Sequence, residues 1–330
     1  MTAEARELIE ELVAEGVAPW WEACPGERPE VLDAVRCGFR GVRMASGTPL
    51  GAVRAACEAV RARDGFVSVA AAAFDGADDP EAWVAAARVL RSGVDRPNLL
   101  VSVPATPAGI DTVAACLAEG IGVESTLVFS VRQYRAVLDA QWTGLERARE
   151  RGVDLAGLGT AASCELGALE DEVDARLDRL PGASASGLRG TAALATARLL
   201  FRAREMALGG ARWQGLRARG ARPPMLLWSG TRAAQVPSLV SWNTGHVMTA
   251  QTVEAAARGR ALEGDTLLGC HEQSLRELRC LAERDVDLDV VGEELLRARS
   301  PWGAGPAVSA GGSRQRVPEP EVGEAGAGQR

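Results

Sequence analysis

Glu22, Ser102 and His246 are the residues whose types and positions could carry chemistry. Glu22 follows the apolar run Val17–Trp21, where a strand would end, and a carboxylate there can act as general acid or base. The plain alternative is a solvated loop glutamate beside a Cys24-Pro25-Gly26 turn. His246 is one of 2 histidines, and an imidazole titrates where proton transfer near neutrality needs it. Its plain alternative is a hydrogen-bonded structural histidine. Ser102 would need an adjacent base to be a nucleophile, and no G-x-S-x-G elbow surrounds it, so a polar filler is the simpler reading. The triplet Cys270-His271-Glu272 has no zinc-ligand spacing, and neighbours on a helix point about 100° apart. Gly157-Leu158-Gly159 falls short of a dinucleotide fingerprint. No cofactor and no metal is called for.

One chemistry is excluded outright. The chain has 330 residues and no lysine, so all 37 basic residues are arginine. A guanidinium is not a usable nucleophile, and lysine Schiff-base chemistry has no amine to start from.

These residues need elements to hold them. Short apolar runs alternate with longer helical patterns, which argues for βα units and a parallel sheet. Eight strands are expected: Val17–Trp21, Gly41–Met44, Phe66–Ala70, Leu99–Val103, Val123–Leu127, Leu158–Ala162, Met225–Trp228 and one near Ser241–Met248. Eight such units favour a closed (β/α)8 barrel, an α/β fold, over an open sheet. Thr106-Pro107 can open a helix that Gly120 ends, and Ser130 with Gln133 has capping-box spacing. A Gly/Ser/Ala-rich connection, Pro181–Gly190, precedes a helix over Thr191–Ala207. Met1–Gly16 has helical apolar spacing and reads as an extra N-terminal helix rather than a signal peptide. The barrel is expected over residues 1–299, and residues 300–330, rich in Gly, Ala, Pro and Glu, as a disordered tail.

Composition narrows the partners. Apolar residues make up 47%, enough for a large core, and the formal charge of −7 argues against nucleic acid. No apolar run reaches the roughly 18 residues of a membrane span, so the cytoplasm is the expected compartment and no membrane is a partner. The 7 cysteines are widely spaced without C-x-x-C and read as buried free thiols, with Cys164 facing away from the pocket. Some of Trp20, Trp21, Trp228 and Trp242 are expected to line an apolar pocket above the barrel and most to pack the core. Exposed barrel helices often pair, so a homodimer stays open.

Four stretches carry a resemblance. Asp95–Thr106, reading D-R-P-N-L-L-V-S-V-P-A-T, resembles the fourth-strand signature of bacterial transaldolases, N-x-x-I-K-I-P-A-T. Glu119–Ser130 resembles that family's E-G-I-x-V-N-x-T-L-L-F-S, and Gly187–Ala193 and Trp228–Arg232 also fit. In order, the matches cover roughly residues 5–297. The resemblance implies a class I aldolase-like barrel with its active site at the C-terminal strand ends. It also implies a lysine that attacks a ketose carbonyl to give a carbinolamine and then an imine.

Position by position, the resemblance places that lysine at Ser102. The family's first-strand aspartate falls on Glu22, its third-strand glutamate on Ala70 and its fifth-strand asparagine on Glu124. The threonine two residues on is kept as Thr126 and the sixth-strand serine as Ser163. The phosphate-gripping arginine falls on Ala168, and a second basic phosphate ligand is kept as Arg232. The second-strand T-T-N-P becomes Arg43-Met44-Ala45-Ser46, and N-T-M-P near the last strand becomes His246-Val247-Met248-Thr249, which puts His246 at the barrel mouth.

Three functions remain open. The first is a repurposed enzyme, at home in specialised metabolism. There Glu22 and His246 handle protons, Ser102 is a third catalytic candidate, and Thr126, Ser163, Arg232 and Glu124 orient a sugar-like or polar small molecule. The second is a pseudoenzyme that binds or scaffolds. The third is an authentic transaldolase of carbohydrate metabolism.

Overall fold

Eight parallel strands close into a barrel in chain order, each paired with the next and β8 with β1. They are β1 (Ala18–Glu22), β2 (Gly41–Met44), β3 (Phe66–Ala70), β4 (Leu99–Pro104), β5 (Gly122–Val128), β6 (Thr160–Glu165), β7 (Met225–Ser229) and β8 (Thr244–Met248). The computed structural model describes residues 1–23, 31–70, 79–180, 187–259, 261–262 and 264–300. The Cys24-Pro25-Gly26 turn, residues 181–186 of the small-residue connection and the tail from residue 301 lie outside them.

The helices are α1 (Ala3–Ala14), α2 (Val31–Arg36), α3 (Leu50–Arg61), α4 (Pro80–Val94), α5 (Pro107–Ala118), α6 (Val131–Glu150), α7 (Leu166–Asp178), α8 (Ala192–Gly209), α9 (Ala211–Arg217), α10 (Ala250–Ala257), α11 (His271–Ala282) and α12 (Leu288–Arg299). The extra N-terminal helix is α1, whose Ala5, Leu8, Ile9 and Leu12 are buried against Val236, Val240 and Met248. Thr106 caps α5 by accepting from the Gly109 N–H at 3.0 Å, with Pro107 in the first turn. Ser130 caps α6, but the reciprocal bond differs from a capping box. Gln133 Oε1 accepts from Phe129 N at 2.9 Å, and its Nε2 donates to the carbonyls of Ala105 and Leu127. Gln133 thereby ties the ends of β4 and β5 together where a bulge interrupts β5 and Leu127 takes a φ of 57°.

Among the strands, β2 and β3 keep both expected bounds and the other six shift at one or both ends. β1, β4, β5 and β7 each run one residue further, to Glu22, Pro104, Val128 and Ser229, β8 starts only at Thr244, and β6 runs Thr160–Glu165 instead of Leu158–Ala162. No helix among the described residues is long and apolar enough to cross a membrane. The six described cysteines are free; Cys164 is fully buried against the helix layer, and burial holds its thiol well above the usual range.

The barrel floor is apolar: Trp20, Phe66, Leu100, Ala161, Leu227 and Val247. Glycines make room for its two large rings. A Cβ at Gly41 would sit 2.2 Å from the Trp20 ring, and one at Gly159 would sit 2.3 Å from Phe66. Large rings opposite bare backbone fill the bottom of the barrel and leave the polar side chains above it.

Candidate functional site

Strand alternation decides which side chains enter the barrel. With Trp20, Leu100, Ala161 and Leu227 on the floor, Glu22, Ser102, Ser163 and Ser229 face inward two residues on. β5 contributes Glu124, opposite Ser102 in the β4–β5 register, and β2 contributes Arg43.

Arg43 organises this layer. Its Nη2 donates to Glu124 Oε1 on β5 and to Ser163 Oγ on β6, the latter at 2.5 Å. The Ser163 hydroxyl donates in turn to Glu124 Oε1. On its other side, Nη1 lies 3.7 Å from Glu22 Oε1 and 3.9 Å from Glu165 Oε1. Glu165 Oε1 accepts from Ser229 Oγ at 2.6 Å, which ties β6 to β7. Just past that strand end the backbones press together: a Cβ on Gly167 would meet Gly230 O at 1.8 Å.

The electrostatics follow from one guanidinium among three carboxylates. Burial works against the Arg43 charge, but Glu124, Glu165 and Glu22 outweigh it and hold its pKa above the ordinary arginine value. Burial pushes the Glu22 carboxyl up; Arg43 pulls it part of the way back, and Glu165 and Glu124 add to the rise. Glu22 is 35% exposed at the mouth, whereas Glu124 is wholly buried. Among the described residues, Glu124 Oε2, Arg43 Nε and Ser68 Oγ are buried without hydrogen-bond partners.

The structure brings together Glu22, Glu124 and Ser163 around Arg43, with Ser102 in register beside Glu124. Thr126 lies two residues above Glu124 on the same strand and is half-buried.

His246 belongs elsewhere. Its neighbour Gly245 faces the barrel interior, where a Cβ would meet Leu227 Cδ2 at 2.6 Å, so the imidazole points outward. It is fully buried, its Nε2 lies 3.1 Å from Leu239 O, and burial lowers its pKa to about 4. The expected position of His246 at the mouth beside Glu22 is thus corrected by strand parity.

Arg232 is not a free phosphate ligand either. Its Nη2 donates to Asp171, and Glu170 and Asp174 add negative charge nearby. Glu170 fills a second anion-binding device: its two oxygens accept the Ala192 and Ala193 N–H groups at the start of α8. Of the tryptophans, Trp20 fills the floor, Trp228 packs outward, and exposed Trp242 lies 5.2 Å from the Arg204 guanidinium.

Arg43 and Glu165 were not singled out from the sequence as functional residues. The signal for Arg43 was an inward position on a short strand two residues beyond Gly41. Glu165 becomes a strand-end residue only because β6 runs three residues past Ala162.

Comparison with known proteins places this barrel. The profile of the transaldolase/fructose-6-phosphate aldolase family matches residues 48–236. The chain is 39% identical over 259 residues to a transaldolase of Acidothermus cellulolyticus, a match covering 74% of this chain and 69% of that protein. It is 41% identical over 221 residues to a transaldolase of Mycolicibacterium paratuberculosis, covering 64% of this chain and 59% of that protein. This chain belongs to the transaldolase/fructose-6-phosphate aldolase family. A third member, Transaldolase 1 of Streptomyces coelicolor, is 38% identical over 260 residues, covering 74% of this chain and 68% of its own length. The chain thus spans between 59% and 69% of these family members' lengths. This member contains no lysine and holds an arginine–glutamate pair inside its strands.

Proposed function

We propose that this transaldolase-family barrel has given up imine-based aldol transfer and performs acid/base chemistry on an unphosphorylated, sugar-like small molecule. The observation that carries this reading is the Arg43–Glu124 pair, set where Ser102 stands in register with Glu124. The residue that the family resemblance aligns with a lysine is a serine, and the neighbouring cation is a guanidinium already bound to carboxylates.

The residues suit proton transfer at a carbon next to a carbonyl, the step behind isomerisation and dehydration. Glu22, whose carboxyl burial pushes above the ordinary glutamate value, is the group suited to hold or donate a proton. Glu165, oriented by Ser229, stands on the other side of Arg43 as the second carboxylate. Arg43 Nη1, between Glu22 and Glu165, is the cationic edge that stabilises negative charge developing on an oxygen. Arg232 and the start of α8 are both occupied by acidic residues of α7, which argues against a phosphorylated substrate. A divergent copy with these exchanges fits specialised metabolism.

A second reading, a binding protein without turnover, draws support from the same pair, because a guanidinium held on both sides by carboxylates also plugs the strand ends. Borohydride reduction in the presence of fructose 6-phosphate, read by intact mass, tests the first step of the proposal. No adduct is expected, and a trapped sugar fragment would establish an authentic transaldolase instead. A thermal-shift panel then separates the rest: neutral polyols and amino sugars should raise Tm and sugar phosphates should not. Turnover of a stabilising ligand decides between enzyme and binder.

A further inference from the structure

Outside the barrel, three helices frame a groove of about 860 Å³ that the strand-end chemistry does not use. Its walls are two stripes at helical spacing. α8 contributes Thr196, Leu199, Ala203 and Met206, and α11 contributes Leu275, Leu278 and Ala282. The volume is that of a small-molecule pocket. Met206 is 60% exposed and Leu275 is 49% exposed, so this apolar surface is open.

The rim is basic. Arg132, Arg135 and Arg202 line it together with Asp287 and Asp289. The acidic groups are engaged: Asp287 caps α12, and Asp289 faces Arg132, which also pairs with Glu293. Arg135 and Arg202 make no ion pair or side-chain hydrogen bond among the described residues. In the wall, the groove-lining residue Thr196 is 2% exposed, and its buried hydroxyl has no hydrogen-bond partner among the described residues. A buried hydroxyl in that state costs stability unless something meets it.

We infer that this groove binds a small amphipathic anion, an apolar tail ending in a carboxylate. The tail lies between the α8 and α11 stripes, and the carboxylate sits at Arg135 and Arg202, where charge-assisted hydrogen bonds are strongest. The site is separate from the barrel mouth and does not depend on the reaction proposed there.

Isothermal titration of the full chain with decanoate, 1-decanol and inorganic phosphate tests it. Decanoate should bind saturably, one per chain; decanol should bind more weakly, and phosphate not measurably. Arg135→Glu with Arg202→Glu should weaken decanoate by about tenfold or more while leaving decanol unchanged. Glu22→Gln should leave decanoate binding unaltered. Decanoate binding that ignores the arginine exchanges, or that is lost with Glu22→Gln, overturns the inference. So does sedimentation showing a dimer that Met206→Glu dissociates, since the groove would then be a subunit interface.

Discussion

The guanidinium of Arg43 on β2 donates across the barrel to the wholly buried carboxylate of Glu124 on β5, 81 residues away in sequence. Removing one partner of a buried pair strands the other charge, whereas replacing both with apolar groups of similar size is often neutral. Arg43→Met should therefore lower unfolding stability by about 3–5 kcal/mol, and Arg43→Met with Glu124→Leu should recover most of that loss. Urea denaturation of the single and double variants measures both. A single exchange costing less than about 1 kcal/mol would mean that the two charges are not held together in solution.

Most of the scaffold was legible because strands and caps leave local marks. Apolar runs at Gly41–Met44 and Phe66–Ala70 coincide with β2 and β3, and Thr106-Pro107 opens α5 as its residue types require. The chemistry was less legible because it depends on parity and on distant partners. A motif match puts His246 at the end of the last strand, but one residue of register decides whether a side chain enters the barrel or leaves it, and Gly245 takes the inward place. Expecting β6 to end at Ala162 buries Glu165 in an anonymous helix start. Arg43 looks like any surface arginine in an arginine-only chain, and only closure of the barrel sets it against Glu22, Glu124 and Glu165.

His246 offers a pH test of its buried setting. Its folded pKa, about 4, lies below the unfolded value near 6.5, so between those values the unfolded chain binds more protons than the folded one. Stability from this group is complete above pH 6.5 and falls as pH drops toward 4, by on the order of 3 kcal/mol over that window. Glu22 works in the opposite direction. Its folded pKa is raised, so its stabilising contribution is present below the unfolded carboxylate value and fades as pH rises through the folded one. Comparing urea midpoints of the wild type and His246→Gln from pH 7 to 4.5 isolates the histidine. The wild type should show the steeper loss on acidification. Equal slopes would place His246 in water rather than against the Leu239 carbonyl.

The last prediction concerns what a lysine alone would restore. A Schiff-base amine must be neutral to attack a carbonyl. Ser102→Lys would set an ammonium in register beside the buried Glu124 carboxylate, and an opposite charge at that range favours the protonated form. Arg43 would still fill the space toward β2 and compete for the same carboxylate. The single exchange should therefore yield no borohydride-trapped adduct with fructose 6-phosphate at pH 7.5. Adding Arg43→Thr and Glu124→Asn removes the cation and the carboxylate together and restores the residue types that the family resemblance assigns to those positions. The triple variant should give trapped adduct at least about tenfold above the single one, read by intact mass. If Ser102→Lys alone traps sugar as well as the triple variant does, then the Arg43–Glu124 pair is not what separates this barrel from aldol chemistry.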